Sequence, residues 1–478
     1  MPNDTNIRDI ENINPFIRPH HITNWYDHRS DFICLDMTSE RDIYARIAAH
    51  ELSHFFLHSY TPYGLFLSEI AITQSRLVRR YINYYQHEIQ KKIFFPIYFF
   101  AKGIKKLAGL THVEKFEINK LIRRYIKPWA DMCYLENIFE GRNLLSVQKA
   151  NQDDAIKALI AIEGMMFEEF NELIKPIGVN TCFNSCGTSV CPVINIKQRD
   201  YYFGAKHIIE SIATNEEWIT HESMKALVGS QQLQVYAGPY LCVIDKYLKV
   251  HRGTLGNNDY KIIDNTFAAL AELSLFTPIG YYYSPLRNAN MKWGDIHPGY
   301  RFLKALDITV KANIWVLKSE DIAVFQGNIC DVLDWTRPEL FLEKGSELDG
   351  KLFKEYKKHK AACLIKLSHK EAFIDLENKH RNSNKLLDEE IRYFLSHYLP
   401  NMIIDGELRL LESMDDVAYS LMNCFLNRFT WSIMMESHID YGEMLPKNIP
   451  LNQSRGELID MLLSRMPEFL PTNFELLA

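Results

Sequence analysis

The sequence has no apolar run long enough to cross a membrane, no excess of positive charge and no internal repeat. Its longest aromatic-rich apolar run is Ile93–Ala101, which is far shorter than the roughly 20 residues of a transmembrane helix. The net charge is −6 at pH 7, and no basic stripe indicates binding to nucleic acid. We therefore expect neither a transmembrane segment nor a nucleic-acid partner.

The sequence also lacks a recognisable leader and a paired set of cysteines. Residues 1–6 are polar and do not show the charged-then-apolar order of a signal peptide. Nine cysteines, an odd number without a leader, predict reduced thiols in the cytoplasm. Cys182, Cys186 and Cys191 come close to the spacing of a zinc loop but lack its tight pairs. We expect ordinary thiols in a loop, with a structural metal or a redox switch as the alternative.

The segment His50-Glu51-Leu52-Ser53-His54 is the most informative feature present. Residues four apart on a helix lie on one face, so the two imidazoles can bind a single Zn²⁺. Glu51 lies at the edge of that face, where it can accept a proton from a metal-bound water. Roughly 0.04 matches to this motif are expected by chance in a chain of this composition. The motif therefore predicts a zinc hydrolase.

A buried helix is expected to carry this motif. Residues 31–36 have the pattern of a short buried strand. Thr38 and Ser39, followed by Asp42, form a capping arrangement for a helix from about Ser39 to Ser59. Apolar side chains occur on nearly every side of that helix, which predicts burial. Because unpaired polar groups are costly in an apolar setting, the histidines and the glutamate indicate a metal site.

The sequence offers two candidates for a third zinc ligand. His58 lies one turn beyond the motif, but residues eight apart on a helix are separated by about 12 Å. We therefore assign His58 a structural role or a role in supporting the ligands. The segment 204–217 offers Glu210 as the ligand instead. Glu217, on the same helical face, or its neighbour Glu216 can accept the second N–H of a metal-bound imidazole.

The two motifs together resemble those of the gluzincin metallopeptidases, particularly the aminopeptidase-type members. In that family a second helix reading Asn-Glu-Gly-Phe-Ala supplies the third ligand. Here Glu210 matches the ligand, and Ala213 matches the small residue that lets the two helices approach. The resemblance implies a zincin-like catalytic core, Zn²⁺ as cofactor and a protein or peptide substrate. Residues 61–64 and 297–302 also resemble segments of bacterial HExxH proteins linked to peptide modification.

An aromatic stretch from about Phe276 to Phe302 supplies candidates for stabilising charge in the transition state. A zinc hydrolase benefits from a tyrosine, histidine or arginine aimed at the oxyanion that forms on the attacked carbonyl. Tyr282, His297 and Arg301 are the catalytic candidates in this stretch. Aromatic side chains are equally common in domain interfaces, so a packing role is the alternative.

The length of 478 residues exceeds what one hydrophobic core normally serves. We expect residues 1–64 to form the first part of the catalytic core, 65–175 a helical insertion, and 176–305 the second part with the third-ligand helix. Residues 306–478 are expected to form a helical carboxy-terminal region that buttresses the core or binds a protein partner. The predicted fold class is mainly α (α+β), with a small sheet beside the HExxH helix and large helical insertions.

The leading functional hypothesis is a zinc metallopeptidase. Zn²⁺ would be held by His50, His54 and Glu210, with Glu51 as general base and then general acid. The region upstream of the motif, Pro15–His21, lacks the Gly-x-Met-Glu-Asn segment of the aminopeptidases. Cleavage of internal peptide bonds is therefore expected rather than removal of terminal residues.

Two alternatives remain open at this point. Two histidines and one further ligand also suit a non-haem Fe(II) oxygenase that modifies a peptide. His297 would then complete the site, and Arg301 would pair with the carboxylate of a 2-oxo acid. The second alternative is a non-enzymatic scaffold or sensor. In that case His50, Glu51, His54 and Glu210 would form a closed structural cluster. A side chain such as His58, Cys182 or Glu217 in the open position would likewise block catalysis.

Overall fold

Helices dominate the described structure, which confirms the predicted mainly α class. The computed structural model describes residues 25–27, 32–35, 41–70, 73–74, 77, 111–113, 116, 120, 123–124, 127–142, 150–170, 189–196, 199–218, 238–251, 255–288, 290–318, 321–344, 401–404 and 407–409. Its helices are α1 Arg41–Tyr60, α2 Lys127–Glu140, α3 Gln152–Phe170, α4 Ala205–Trp218, α5 Gly238–His251, α6 Asn257–Leu275, α7 Gly280–Tyr283, α8 Trp293–Ile296, α9 Pro298–Ala312 and α10 Ile322–Leu333. Its strands are β1 Trp25–Asp27, β2 Phe32–Leu35, β3 Val193–Ile196, β4 Arg199–Tyr202, β5 Asn401–Ile404 and β6 Glu407–Arg409.

A four-stranded sheet in the order β1-β2-β5-β6 lies beside the HExxH helix. The β1–β2 and β5–β6 pairs are antiparallel, whereas β2 and β5 run parallel, with Phe32 opposite Asn401 and Leu35 opposite Ile404. β1 and β2 both contact α1. The carboxy-terminal region, for which the sequence predicted helices, thus contributes two strands to a sheet that begins near the amino terminus.

The strand and helix expected around the motif are present with nearly the predicted bounds. β2 lies within the predicted strand 31–36, and α1 begins two residues after Ser39 and ends one residue beyond Ser59. The hairpin of β3 and β4 leads directly into α4, the predicted third-ligand helix. Apolar patterning was sufficient to predict β2 and α1, because the burial of a short strand or helix is encoded in its own residues.

The helix α6 lies at the centre of the hydrophobic core. It contacts α4, α5, α9 and α10, and side chains on several of its faces, such as Phe267, Leu270 and Leu273, are buried. A helix that is apolar on most sides is expected to be surrounded by other elements. α6 therefore packs directly against α4.

Two buried carboxylates hold the turn between α6 and α7. Glu163 of α3 accepts the backbone N–H of Gly280 at 3.0 Å and a bidentate pair of hydrogen bonds from Arg287. Glu69 accepts the backbone N–H groups of Tyr281 and Tyr282 at 2.9 and 3.2 Å. The side chains of Glu163 and Arg287 are fully buried. A buried pair of this kind fixes geometry, because either charge alone would be strongly unfavourable.

No single helix in the described ranges is both long and apolar enough to span a membrane. The segments Asn258–Leu275 and Gly280–Leu286 would pass that test only if they were joined across the 92° bend between them.

Replacing Arg287 with methionine should strongly destabilise the fold. Removing one partner of a buried ion pair leaves the other charge uncompensated, which typically costs about 3–5 kcal/mol. The measurement is the free energy of unfolding in urea. The matched control is Arg337→Met, because Arg337 pairs with Asp331 at the surface and its loss should have a much smaller effect. Equal unfolding free energies for the two variants would contradict the structural role of the Glu163–Arg287 pair.

Candidate metal centre

Close packing of α1 against α4 forms the site. The two helices contact each other along their lengths, and Ala213 of α4 is completely buried. The resemblance implied that a methyl side chain at this position lets the two helices approach, and that role stays a prediction. The motif histidines on α1 and Glu210 on α4 consequently face one another, although Glu210 follows His54 by more than 150 residues.

Three ligand atoms meet at this interface. The Nε2 atoms of His50 and His54 lie 3.1 Å apart, and each lies 3.4 Å from the same oxygen, Oε2, of Glu210. Among the described histidine, cysteine, aspartate and glutamate side chains, these three form the group that could hold a metal ion. The structure therefore brings together the three residues predicted as metal ligands.

The spacing of these atoms fits a tetrahedral metal ion. Bonds of about 2.0–2.1 Å to nitrogen and oxygen in tetrahedral geometry place the ligand atoms roughly 3.3 Å apart. The observed separations of 3.1, 3.4 and 3.4 Å match that edge length. Two imidazoles and a carboxylate also form one of the ligand sets found in catalytic zinc sites. Geometry and donor chemistry thus both suit a divalent cation.

The site is partly open to solvent and contains an ionised carboxylate. The side chains of His50, His54 and Glu210 are 20%, 11% and 24% exposed, so a small ligand can reach them. Burial raises the pKa of the Glu210 carboxyl, but the charge and hydrogen bonds of His54 and His50 outweigh it and hold that pKa well below its usual value. Glu210 is therefore ionised at neutral pH, the form that binds a cation.

Glu51, the predicted general base, follows His50 directly on α1 and is buried. Its position in sequence places it beside the ligand face of the helix. A carboxylate in such a setting is shielded from bulk water and available to a group at the metal centre. Its catalytic role stays a prediction.

The residues predicted to support the ligands fall into two groups. His58 is buried, and its Nδ1 lies 2.7 Å from the backbone carbonyl oxygen of His54. This hydrogen bond fixes the end of α1 directly after the motif, in agreement with the structural role expected for His58. Glu216 and Glu217 lie in the last turn of α4, but their side chains lie outside the described residues.

Tyr282 is buried in the short helix α7. Its backbone N–H, with that of Tyr281, donates to Glu69, a residue that sequence analysis did not single out. The residues around Glu69 did not indicate this role, because its partners lie more than 200 residues away in sequence. The predicted catalytic role of Tyr282 stays untested.

His297 lies at the amino-terminal end of α9 and is completely buried. Its Nδ1 accepts the backbone N–H of Gly299 at 3.1 Å, and its Nε2 donates to the carbonyl oxygen of Ile138 at 3.0 Å. Burial lowers the pKa of His297 to about 4, so the ring is neutral at physiological pH. Its Nδ1 thus caps the start of α9, its Nε2 links α9 to α2, and His297 is not part of the metal-binding group.

Arg301 is also completely buried within the fold. Its two terminal nitrogens donate to the carbonyl oxygens of Asp295 and Leu273, and its guanidinium lies 3.9 Å above the Trp335 ring. Burial lowers the pKa of Arg301 to about 10. Both terminal nitrogens thus bind backbone carbonyls inside the core, rather than the 2-oxo acid of the oxygenase hypothesis.

Of the three loop cysteines, only Cys191 lies among the described residues. It is a buried free thiol whose Sγ donates to the carbonyl oxygen of Ile138 at 2.9 Å. Burial raises its pKa far above the usual value, so this thiol stays protonated. The expected role as an ordinary packed thiol is confirmed for Cys191, whereas Cys182 and Cys186 lie outside the described residues.

Comparison of the chain with protein-family models, curated proteins and solved structures gave no match. The interpretation of the site therefore depends on its geometry and chemistry.

The neutral state of His297 predicts a specific pH dependence of stability. Its pKa is about 4 in the folded protein and roughly 6.5 when unfolded, so the unfolded chain binds more protons between these values. Its contribution is complete above about pH 6.5 and is lost as the pH falls toward 4. The free energy of unfolding should decrease by about 2 kcal/mol more between pH 7 and pH 5 in the native protein than in His297→Gln. Parallel curves in urea titrations would contradict this account.

Proposed function

We propose that this chain is a zinc-dependent peptidase that hydrolyses peptide bonds within a protein or peptide substrate. The observation that carries the proposal is the tetrahedral spacing of His50 Nε2, His54 Nε2 and Glu210 Oε2. Side chains from two separate helices converge here with separations that a tetrahedral ion would also require.

The residues of the site have distinct roles in this proposal. His50, His54 and Glu210 hold the ion, which supplies Lewis acidity and lowers the pKa of bound water to about 7. Glu51 accepts the proton of the attacking water and later delivers it to the leaving amine. The partial exposure of the ligands leaves one side accessible to the substrate.

The surroundings of the site support a zincin-like core. The HExxH helix α1 lies between a small sheet, which contacts it through β1 and β2, and the helix α4 that supplies the third ligand. This is the arrangement implied by the gluzincin resemblance. The helices α2 and α3, from the region predicted as an insertion, pack against each other, and α2 also contacts α4.

Three ligands among the described residues favour a catalytic over a structural role; the side chains of Cys182 and Glu217, also considered as fourth ligands, lie outside the described residues. Structural zinc sites have four protein ligands, whereas catalytic sites keep one position for water. The metal-binding group contains three side chains within the described ranges. His58, one of the side chains considered as a fourth ligand, uses its Nδ1 at the His54 carbonyl.

A second candidate function is Fe(II)-dependent oxidation of a peptide. The observation that favours it is the donor set itself, because two histidines and one carboxylate with open positions also form the facial triad of non-haem iron oxygenases. The engagement of Arg301 with backbone carbonyls weakens the version in which that residue binds a 2-oxo acid. Consumption of 2-oxoglutarate by the iron-loaded protein would distinguish this candidate from hydrolysis.

Glu51→Gln should retain zinc but lose hydrolytic activity by about 10²–10⁴-fold, because the amide cannot accept the proton. The zinc-loaded protein is incubated with a peptide library, and new termini are identified by mass spectrometry. Asp153→Asn, an exposed position at the start of α3, is the matched control and should cleave as the parent does. Parental activity in Glu51→Gln would contradict the proposal. Addition of oxygen to peptides by the iron-loaded parent, without cleavage, would favour the second candidate.

A further inference from the structure

Three backbone segments cross just before the third-ligand helix begins. The crossing lies at Phe203–Gly204, between β4 and α4. Gly141, at the end of α2, and Gly299, in the first turn of α9, approach it from two other parts of the chain. We call this set, Gly141, Gly204 and Gly299, the glycine crossing.

None of the three glycines leaves room for a side chain. A Cβ at Gly141 or at Gly299 would lie 2.8 Å from the carbonyl carbon of Phe203 and would overlap a neighbouring backbone atom even more closely. A Cβ at Gly204 would overlap the backbone of Glu140 and Gly141. Because the opposing atoms belong mainly to backbone, they cannot move aside by a simple side-chain rotation.

Hydrogen bonds also link the segments that meet at the glycine crossing. The carbonyl oxygen of Ile138 accepts from His297 and from the thiol of Cys191, and the backbone N–H of Phe203 donates to Pro192 at 2.8 Å. The start of α4 is therefore fixed between the end of α2 and the start of α9. All of these partners are buried.

The position of Glu210 depends on where α4 starts. Glu210 lies six residues after Gly204, or about 9 Å along the helix axis, and a helix transmits a displacement at its first turn as a nearly rigid body. Metal–ligand bonds tolerate errors of only about 0.2 Å. A shift at the crossing large enough to admit a methyl group would thus carry Glu210 away from His50 and His54.

We infer that Gly141, Gly204 and Gly299 are positioning residues for the metal centre, because their backbone crossing sets the start of α4 and thereby the distance of Glu210 from the two histidines. The inference concerns the metal site on which the proposed function rests, and it holds for either zinc or iron. Backbone packing at the glycine crossing, outside the metal site, would therefore affect metal affinity.

The test compares Gly299→Ala and Gly204→Ala with the parent in the full chain. Zinc affinity is measured by competition with a chromophoric chelator, and the Co²⁺-substituted proteins are compared by visible absorption. We expect the zinc Kd of both variants to rise at least about tenfold, the range found when residues that orient ligands are replaced. The Co²⁺ spectrum should change as well, since the ligand geometry changes. A folded Gly299→Ala variant with the parental Kd and spectrum would overturn the inference.

Two controls separate positioning from loss of stability. Gly164→Ala places a methyl group in α3, where no atom lies within 4 Å, and should leave the zinc Kd within twofold of the parent. Arg287→Met lowers stability without touching the crossing, so its zinc Kd should also be retained at a temperature where it is folded. A weakened Kd in Arg287→Met equal to that in Gly299→Ala would show that stability alone controls affinity. Absence of zinc binding in the parent would overturn the metal site itself.

Hydrogen exchange of the metal-free parent tests the same inference without substitution. If the crossing fixes α4, the backbone amides of residues 208–213, the first with i−4 acceptors in the helix, should be protected before any metal is added. Fast exchange in that segment, followed by protection only on addition of zinc, would mean that the metal orders α4, and would overturn the inference even if the glycine variants fail to fold.

Discussion

The contact between α1 and α4 is the constraint on which the site depends. It places a glutamate opposite two histidines in a partly buried setting, where each polar group needs a partner. Ala213 is fully buried on the helical face that it shares with Glu210, and α6, whose side chains are largely buried, also contacts α4. Because both helices are fixed by contacts elsewhere, the ligand atoms already have separations of 3.1–3.4 Å. Little reorganisation is then needed to bind an ion, which favours high affinity.

Features encoded by neighbouring residues were predictable from the sequence. The spacing of His50 and His54 follows from helical geometry alone, and the bounds of α1 and β2 followed from short apolar patterns and capping residues. Glu210 was identified differently, through resemblance to a family motif and the helical face it shares with Ala213. Its meeting with His54 required tertiary packing that no local pattern determines, and the structure supplies that packing.

Features that depend on distant partners were not predictable in the same way. His297 and Arg301 were predicted to be catalytic, because an imidazole or a guanidinium can stabilise an oxyanion. In the structure their partners are the carbonyl oxygens of Ile138, Asp295 and Leu273, which carry no signature in the sequence. The strand β5 was missed for the same reason, since its pairing with β2 joins segments more than 350 residues apart, and β6 pairs with β5. Helical periodicity in the carboxy-terminal region gave no indication of this pairing.

The most direct test of the account is anomalous diffraction at the zinc absorption edge from crystals of the zinc-loaded full chain. The account predicts one strong peak in contact with His50 Nε2, His54 Nε2 and a carboxylate oxygen of Glu210, at about 2.0–2.2 Å from each. A peak bound without Glu210, or with Glu210 facing away from the two histidines, would contradict the central claim.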